Sequence, residues 1–280
     1  MTSNTREQMM ARWERAATGW GKRADRIRQH TLPVSLWMIE HANLHPGQRV
    51  LELAAGPGDT GFLAAEVIEP GGTLVSSDAS DAMLELARRR AETFGLGNVE
   101  FANFQLEWID LPAASVDAVL CRWGVMLAVD PAAAFKEIRR VLRPGGRVAL
   151  AVWDLPERNP WTTIPSRAMI ELEHMPPPDP SAPSMFALAE AGRLQELFED
   201  AGFAEIEVTG VQLDRTYEGV EELLEETRDL SVMFAEAYDG LDDRQRRELA
   251  DRAASLAEQY RQVDGALLLP GRSLVGAATA

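Results

Sequence analysis

The sequence predicts an α/β protein in which a mostly parallel sheet is covered by helices on both faces. Two observations predict this class: short apolar runs alternate with helical patterns over residues 46–154, and the first apolar run leads into a glycine-rich turn that opens a helix. The chain has 280 residues, 46% of them hydrophobic, so it can bury a substantial core. Because ligands of such sheets bind beyond the carboxyl ends of the strands, we expect the functional residues to cluster there.

Residues 1–45 are predicted to form a helical cap ahead of the first strand. Apolar side chains recur there at steps of three and four residues until Gly21 interrupts the pattern, which indicates more than one helix. Trp13 and Trp20 lie at helical spacing. They either pack within the cap or cover a bound cofactor.

Residues 46–154 are predicted to form the cofactor-binding core. Apolar runs bounded by turn residues predict five strands, over residues 49–54, 73–77, 99–102, 116–122 and 147–153. Helices are expected between them. One covers residues 61–68, a second begins at Ser80 or Asp81 and ends at Phe94, and a third begins at Asp130-Pro131 and ends before Pro144-Gly145-Gly146.

The alternation breaks after residue 154. Residues 155–185 carry eight prolines, which argue against a continuous helix or strand and predict a lid or acceptor insertion. Residues 186–280 are predicted to complete the core with a helix over 186–201 and strands over 205–213 and 273–278. A helical insertion is expected between these strands, at about residues 214–264.

Charge and composition exclude several function classes. The chain has 28 Lys and Arg against 44 Asp and Glu, a formal net charge of -16, so nucleic acid would be repelled over most of the surface. The run Arg88-Arg89-Arg90 is interpreted as a solvated helix face. A single cysteine, Cys121, excludes a disulfide framework. No signal segment or membrane-spanning run is evident, so a cytoplasmic protein is expected. His41 and His45 could share a helix face, but no third ligand is evident, so no metal site is expected.

A glycine-rich turn follows the first predicted strand. Gly56-Pro57-Gly58-Asp59-Thr60-Gly61 fits G-x-G-x-x-G between a strand and a helix. Asp78 ends the next strand about 20 residues further on, where a carboxylate can accept both hydroxyls of a ribose. Glycine lets the backbone approach a ligand closely, and free N–H groups at the helix start can hold an anionic group. These features predict a cofactor that contains adenosine.

Glu52 favours S-adenosylmethionine over a nicotinamide dinucleotide. A carboxylate at the end of the first strand would repel a pyrophosphate, whereas it suits a cationic ammonium group. Residues 52–58 (ELAAGPG) resemble the first motif of class I methyltransferases that use S-adenosylmethionine. Residues 105–112 (QLEWIDLP), 116–119 (VDAV) and 140–146 (RVLRPGG) are similar to motifs of the ubiquinone/menaquinone biosynthesis (methyltransferase type 11) family.

This resemblance implies a Rossmann-like sheet of seven strands, mostly parallel, with an antiparallel last hairpin. It also implies S-adenosyl-L-methionine as cofactor and S-adenosyl-L-homocysteine as product. The predicted cofactor-binding residues come from the glycine turn, the strand ends and the cap: Glu52, Ala54, Gly56, Gly58, Asp78, Ala79, Met83, Gln105, Leu106, Arg122 and Trp20.

The resemblance assigns a part of the cofactor to several of these residues. Gly56 and Gly58 would face the methionine portion, Asp78 the ribose, and Ala79 with Met83 one face of the adenine.

Two further residues would contact the edge of the adenine. Leu106 would bond an adenine nitrogen through its backbone. Gln105 stands near the exocyclic amine, at a position where the family commonly has Asp. Its amide oxygen can still accept but carries no charge, so weaker adenine affinity is expected.

The expected reaction is transfer of the methyl group to a small-molecule acceptor by direct in-line displacement, which needs alignment and exclusion of water but no protein nucleophile. The acceptor atom is left open among oxygen, nitrogen and carbon. No catalytic residue is assigned, and His30, His174 and Asp154 are candidate bases.

The acceptor is expected to have an apolar part and to bind between the cap and residues 155–185. That segment carries Trp161 and several methionines, which suit an apolar ligand. Arg122 and Trp153, at the ends of the fourth and fifth predicted strands, would face the transferred methyl group.

Two alternatives stay open at this point. A nicotinamide-dependent oxidoreductase would share the glycine turn, but the chain lacks a Y-x-x-x-K pair and has a long helical segment before the first strand. A non-catalytic cofactor-binding module would keep the turn without turning over an acceptor.

Overall fold

The computed structural model describes residues 2–178 and 184–280 of the chain. Within them, seven strands form one sheet: β1 (Arg49–Glu52), β2 (Thr73–Asp78), β3 (Val99–Asn103), β4 (Val116–Arg122), β5 (Leu142–Trp153), β6 (Ala204–Tyr217) and β7 (Leu267–Thr279). Their order is β3-β2-β1-β4-β5-β7-β6. The first five strands are parallel, and β7 is antiparallel to both β5 and β6. The predicted seven-stranded sheet with an antiparallel last hairpin is confirmed.

Nine α-helices accompany the sheet in the described residues: α1 (Thr2–His41), α2 (Asp59–Val67), α3 (Asp81–Phe94), α4 (Pro131–Val141), α5 (Pro160–Glu171), α6 (Ala191–Asp200), α7 (Val220–Leu230), α8 (Val232–Asp239) and α9 (Asp243–Ala257). Two predicted helix starts are confirmed by their caps. The Ser80 hydroxyl accepts from the N–H of Met83 at 3.2 Å, and the Asp130 carboxylate accepts from the N–H of Ala133 at 3.0 Å.

The central strands are buried on both faces. Val119, Leu120, Val148 and Leu150 have no accessible surface. A parallel strand covered on both faces has a continuous apolar sequence rather than an alternating one. For this reason β4 and β5 could be predicted from the sequence. Among the described residues, none of the helices is long and apolar enough to cross a membrane.

The cap differs from its prediction, because α1 is a single helix of 40 residues. Gly19 and Gly21 do not break the helix but lie where neighbouring helices contact it closely. A Cβ at Gly21 would lie 3.2 Å from Cδ1 of Leu86 in α3. A Cβ at Gly19 would lie 1.8 Å from the carbonyl oxygen of Asp229 in α7. Both glycines therefore let neighbouring helices approach α1, and the helix continues through them.

No helix was predicted within residues 155–185, whereas α5 occupies part of this segment. Pro160 lies in the first turn of α5, where its missing N–H has no cost. Pro165 removes one internal hydrogen bond, and burial compensates for it: Ile164, Ala168 and Met169 pack into a second apolar core. The other residues of that core come mainly from α7, α9 and β7.

The β6–β7 hairpin is longer than predicted and extends beyond β5. Strand β5 pairs with β7 only at residues 273–279, whereas β6 pairs with β7 down to Leu267. Leu213, Arg215 and Tyr217 alternate as buried positions along this extension. Because Arg215, in the middle of this alternation, is charged, apolar periodicity did not predict that the strand continues to Tyr217.

A buried ion pair joins this hairpin to the helices. Glu226 of α7 accepts from Nη1 of Arg215 at 3.1 Å, from the Tyr217 hydroxyl at 2.9 Å and from Nε of Arg26 at 2.7 Å. Arg215 and Glu226 are 3% and 2% exposed. The Arg215 guanidinium lies 3.6 Å from the centroid of the Trp161 ring. One carboxylate thus connects α1, β6 and α7.

Candidate functional site

A cleft opens beyond the carboxyl ends of β1, β2 and β4, where the sequence places the site. It encloses about 1090 Å³ including its solvent-open mouth. The glycine turn, the loops after β3 and β4 and the first half of α1 line it. Ten of the predicted cofactor residues are on its wall: Glu52, Ala54, Gly56, Asp78, Ala79, Met83, Gln105, Leu106, Arg122 and Trp20. The fold therefore brings together residues that are far apart in the sequence.

Gly58 is the predicted cofactor residue that does not line the cleft. It has φ 89° and precedes α2, and a Cβ there would lie 2.4 Å from Cζ of Phe62. Gly58 thus allows the turn and leaves room for the Phe62 ring. Gly56, with φ 52°, and Pro57 form the side of the turn that faces the cleft.

Asp78 holds the glycine turn and faces the cleft at the same time. Its Oδ2 accepts from the N–H of Gly56 and its Oδ1 from the N–H of Ser80, both at 2.9 Å. Burial raises the pKa of Asp78, and these backbone bonds lower it. Each carboxylate oxygen keeps a second lone pair, so Asp78 can accept further hydrogen bonds from a ligand.

Glu52 ends β1 and is buried beneath the turn. Its Oε1 accepts from the N–H of Gly61 at 2.7 Å, and its Oε2 from the Ser76 hydroxyl at 3.3 Å. A Cβ at Gly61 would lie 2.1 Å from Glu52 Oε2, so this glycine is required for the packing of the carboxylate. Burial raises the pKa of Glu52 from 4.5 to about 8, although the Gly61 bond and Arg122 lower it.

The raised pKa of Glu52 predicts a pH-dependent stability. Between pH 4.5 and about 8 the folded protein keeps a proton on Glu52 that the unfolded chain releases, so this group stabilises the fold at low pH and progressively less as the pH rises. We expect the thermal midpoint of the ligand-free protein to fall, relative to that of Glu52→Gln, as the pH rises from 5 to 8. A difference between the two midpoints that is constant with pH would contradict the raised pKa.

The loop after β3 forms a second wall of the cleft. Gln105 and Leu106 line it, and the carbonyl of Gln105 accepts from the N–H of Trp108 at 3.1 Å. Glu107 ties this loop to the loop after β4, because its Oε1 accepts from the N–H groups of Val129 at 2.9 Å and Asp130 at 3.2 Å. The wall is therefore fixed by backbone contacts on both sides.

The first half of α1 covers the cleft, and we call its cleft-lining residues the roof: Arg6, Met9, Met10, Trp13 and Trp20. Two contacts attach this half to the core. The Glu14 carboxylate accepts from the N–H groups of Asp81 at 2.7 Å and Ala82 at 3.2 Å, at the start of α3. Nη2 of Arg6 lies 3.3 Å from Oε1 of Glu107. The roof therefore rests on the start of α3, shortly after Asp78 in the chain, and on the loop that carries Leu106.

Arg122 ends β4 and lies in the cleft wall. Its Nη1 donates to the Thr31 hydroxyl of α1, and its Nη2 donates to Asp59 Oδ2 at 3.3 Å. Burial lowers the pKa of Arg122, and the charges of Asp59 and Glu52 raise it. Arg122 is thus held by hydrogen bonds to the cap and to the start of α2.

The loop after β4 supplies residues that the sequence analysis missed. Trp123, with φ 60°, and Leu127 line the cleft beside Arg122. Gly124 also lines it, and a Cβ there would lie 2.5 Å from that of Ala54. The signal available in the sequence was the position of this loop, directly after the carboxyl end of a central strand.

The structure differs from the predicted acceptor pocket. The described residues of the segment 155–185 do not line the cleft. Trp161 packs against Trp153, with ring centroids 5.0 Å apart, and against Arg215. Trp153 is itself buried and stacks on Trp123 at 4.1 Å, so Trp123 stands between it and the cleft.

The three candidate bases also lie off the cleft wall: His30, His174 and Asp154. Burial, followed by the charges of Arg215 and Arg26, lowers the pKa of His30 to about 4. Asp154 accepts from Nη1 of Arg158 at 2.8 Å and from Arg272, so its carboxylate is paired.

Comparison with known proteins adds to this geometry. Residues 44–203 match the family model described as a methyltransferase domain. Over 183 residues the chain is 26% identical to the ubiquinone/menaquinone biosynthesis C-methyltransferase UbiE of Shewanella halifaxensis, a match that covers 62% of this chain and 73% of that protein.

Two solved structures share the fold. The YcgJ protein of Bacillus subtilis superposes with a TM-score of 0.59 and 19% identity, over 88% of this chain and 97% of its own. Phosphoethanolamine N-methyltransferase 2 of Haemonchus contortus, solved in complex with S-adenosyl-L-methionine, superposes with a TM-score of 0.54 and 21% identity, over 88% of this chain and 51% of its own.

Proposed function

The chain belongs to the methyltransferase domain family, and we propose that it transfers the methyl group of S-adenosylmethionine directly to a small-molecule acceptor with an apolar part. It is an S-adenosylmethionine-dependent methyltransferase, as predicted, and not a nicotinamide oxidoreductase. The class of acceptor and the direct transfer are our proposal.

The cleft residues fit S-adenosylmethionine by their chemistry. Asp78 has free lone pairs for the ribose hydroxyls. Ala79, Met83 and Leu106 present apolar surface suited to the adenine ring. Arg122 places a positive charge in the wall, which suits the carboxylate of the methionine portion, and the Glu52 carboxyl, protonated in the ligand-free protein, would ionise beside the ammonium group.

The observation that carries the direct transfer is the composition of the cleft wall. The described residues that line it include no lysine, histidine, tyrosine or cysteine. Its carboxylates, Glu52, Asp78 and Glu107, already accept hydrogen bonds from the protein. The bound cofactor supplies a methyl group that is already activated by a positively charged sulfur. The protein is left with the tasks of orienting both reactants and excluding water.

The apolar acceptor is supported by the residues opposite the glycine turn. The roof contributes two methionines and two tryptophans, and the loop after β4 adds Trp123 and Leu127. Flat aromatic rings and flexible thioethers favour a planar apolar ligand. The Arg122 guanidinium lies 4.7 Å from the centroid of the Trp123 ring and can stabilise negative charge on the acceptor.

The direct test uses S-adenosylmethionine with an isotope-labelled methyl group. We expect the label on planar aromatic acceptors, and little on sugars or simple amines of similar size. The intact mass of the protein after incubation with the cofactor alone should be unchanged, because no residue carries the methyl group. A stoichiometric gain of one methyl group that an added acceptor then removes would contradict direct transfer.

Replacing Trp123 should separate the acceptor from the cofactor. We expect Trp123→Ala to lower kcat/KM for an accepted aromatic acceptor by about tenfold or more, because it removes an aromatic wall worth about 1.5 kcal/mol. Binding of S-adenosylhomocysteine, measured by calorimetry, should change by less than about threefold. Trp108→Ala is the matched control, since that side chain is 75% exposed. Equal losses of acceptor turnover and cofactor affinity would place Trp123 beside the cofactor.

A further inference from the structure

Three consecutive arginines on α3 have different surroundings. Arg88 and Arg89 are exposed, and their guanidinium groups lie 3.7 and 3.4 Å from the carboxylate of Glu85 on the same helix. The Arg90 side chain is only 12% exposed and points to the glycine turn. The interpretation of this run as a solvated face is correct for the first two residues and wrong for Arg90.

Arg90 contacts the glycine turn at two points through one nitrogen. Its Nη1 donates to the carbonyl of Pro57 at 2.8 Å and to Asp59 Oδ1 at 2.7 Å. Pro57 lines the cleft, and Asp59 is the first residue of α2. Arg90 therefore holds the turn from behind, on the side away from the cleft.

Asp59 connects Arg90 to the cleft wall. Its carboxylate is buried and is shared by two guanidinium groups, with Arg90 on Oδ1 and Arg122 on Oδ2. Charge-assisted hydrogen bonds of this kind are strong in a buried setting and fix the geometry of both partners. A displacement of the Asp59 carboxylate would therefore also displace Arg122.

We propose that Arg90 is a positioning residue for the methionine end of the cofactor, acting through Pro57 and through the carboxylate that it shares with Arg122. This inference rests on the proposed placement of Arg122 beside the methionine portion. Arg90 does not line the cleft, so its effect on the ligand is transmitted by the turn and by Asp59. The adenosine end, which Asp78 and Met83 face, should be insensitive to Arg90.

Two ligands test the proposal by calorimetry. S-adenosylhomocysteine has an amino-acid end, and 5′-methylthioadenosine lacks it. We expect Arg90→Gln to weaken S-adenosylhomocysteine binding about tenfold and to leave methylthioadenosine binding within twofold. Arg90→Lys should recover most of the loss, because a single ammonium nitrogen can reach both Pro57 and Asp59. Arg89→Gln, the adjacent exposed arginine, should change neither affinity.

A second variant keeps the test decisive if Arg90→Gln folds poorly. Asp59→Asn keeps the shape of the shared group and removes its charge, and it should show the same selective loss for the ligand with the amino-acid end. Equal losses for both ligands, no loss in either variant, or the same loss in Arg89→Gln would overturn the proposal. Failure of the wild-type protein to bind S-adenosylhomocysteine would instead contradict the cofactor site itself.

Discussion

Replacing Asp78 with alanine is expected to weaken S-adenosylhomocysteine binding by about 1.5–3 kcal/mol, or roughly 10- to 150-fold. The change removes the acceptor of the hydrogen bonds that the ribose hydroxyls would donate. It also leaves the N–H groups of Gly56 and Ser80 without their side-chain partner, so the glycine turn loses its support. The sequence suggested a role confined to the ligand, whereas the structure predicts a lower thermal midpoint of the ligand-free protein as well.

Calorimetry at low temperature, where the variant stays folded, separates the two effects. Asp78→Asn should lose less affinity, because one oxygen remains as an acceptor. Asp81→Asn is a suitable control, since Asp81 lies at the start of α3 and does not line the cleft. An Asp78→Ala protein with a lower thermal midpoint and undiminished affinity would make Asp78 a purely structural residue.

Glu226→Ala is expected to cost about 3–5 kcal/mol of the free energy of unfolding, because it leaves a buried charge without its partner. Arg215 is buried with Glu226 as its counterion, and the Tyr217 hydroxyl loses the same acceptor. The contact with Trp161 offsets only part of that penalty, since an aromatic face holds a cation far less strongly than a carboxylate.

Urea denaturation of both proteins measures this difference. Glu225→Ala provides the matched control on the same helix. Its side chain is 68% exposed and lies 3.7 Å from Arg23, so its loss should cost less than about 1 kcal/mol. If Glu226→Ala costs no more than Glu225→Ala, the buried pair contributes little and Arg215 is accommodated by water or by rearrangement.

Periodicity and motifs predicted the sheet and the residues of the cleft wall that lie at the strand ends and in the glycine turn. Strands buried on both faces consist of uninterrupted apolar runs, and a glycine turn needs its residues at fixed spacing. Both features can therefore be recognised from a short stretch of sequence. The sequence placed Asp78 and Leu106 at this edge of the sheet, and both line the cleft, because Asp78 ends β2 and Leu106 lies in the loop after β3.

The roof and the contacts that support the cleft depend on residues distant in the sequence, so local sequence patterns did not predict them. Gly19 and Gly21 look like helix breaks until the partners that approach them are known. Arg90 differs from Arg89 only in the direction that α3 gives it. Arg215 is charged at a position where strand periodicity requires an apolar residue, and Glu226, which makes it tolerable, is contributed by another element.

The roof and the walls of the cleft are under different evolutionary constraints, because the roof comes from the single helix α1 and the walls come from the sheet and its turns. The walls of the cleft beyond β1, β2 and β4 are made of strand ends and tight turns, where a substitution also disturbs the sheet. The roof is made of side chains from one helix, whose backbone geometry tolerates most residues. Changes at Met9, Met10 or Trp13 can therefore alter the shape of the roof, which we propose faces the acceptor, while the glycine turn and the strand ends keep their form. Selection for a new acceptor would act on this helix first, and related enzymes with different acceptors are expected to diverge there while their glycine turns stay alike.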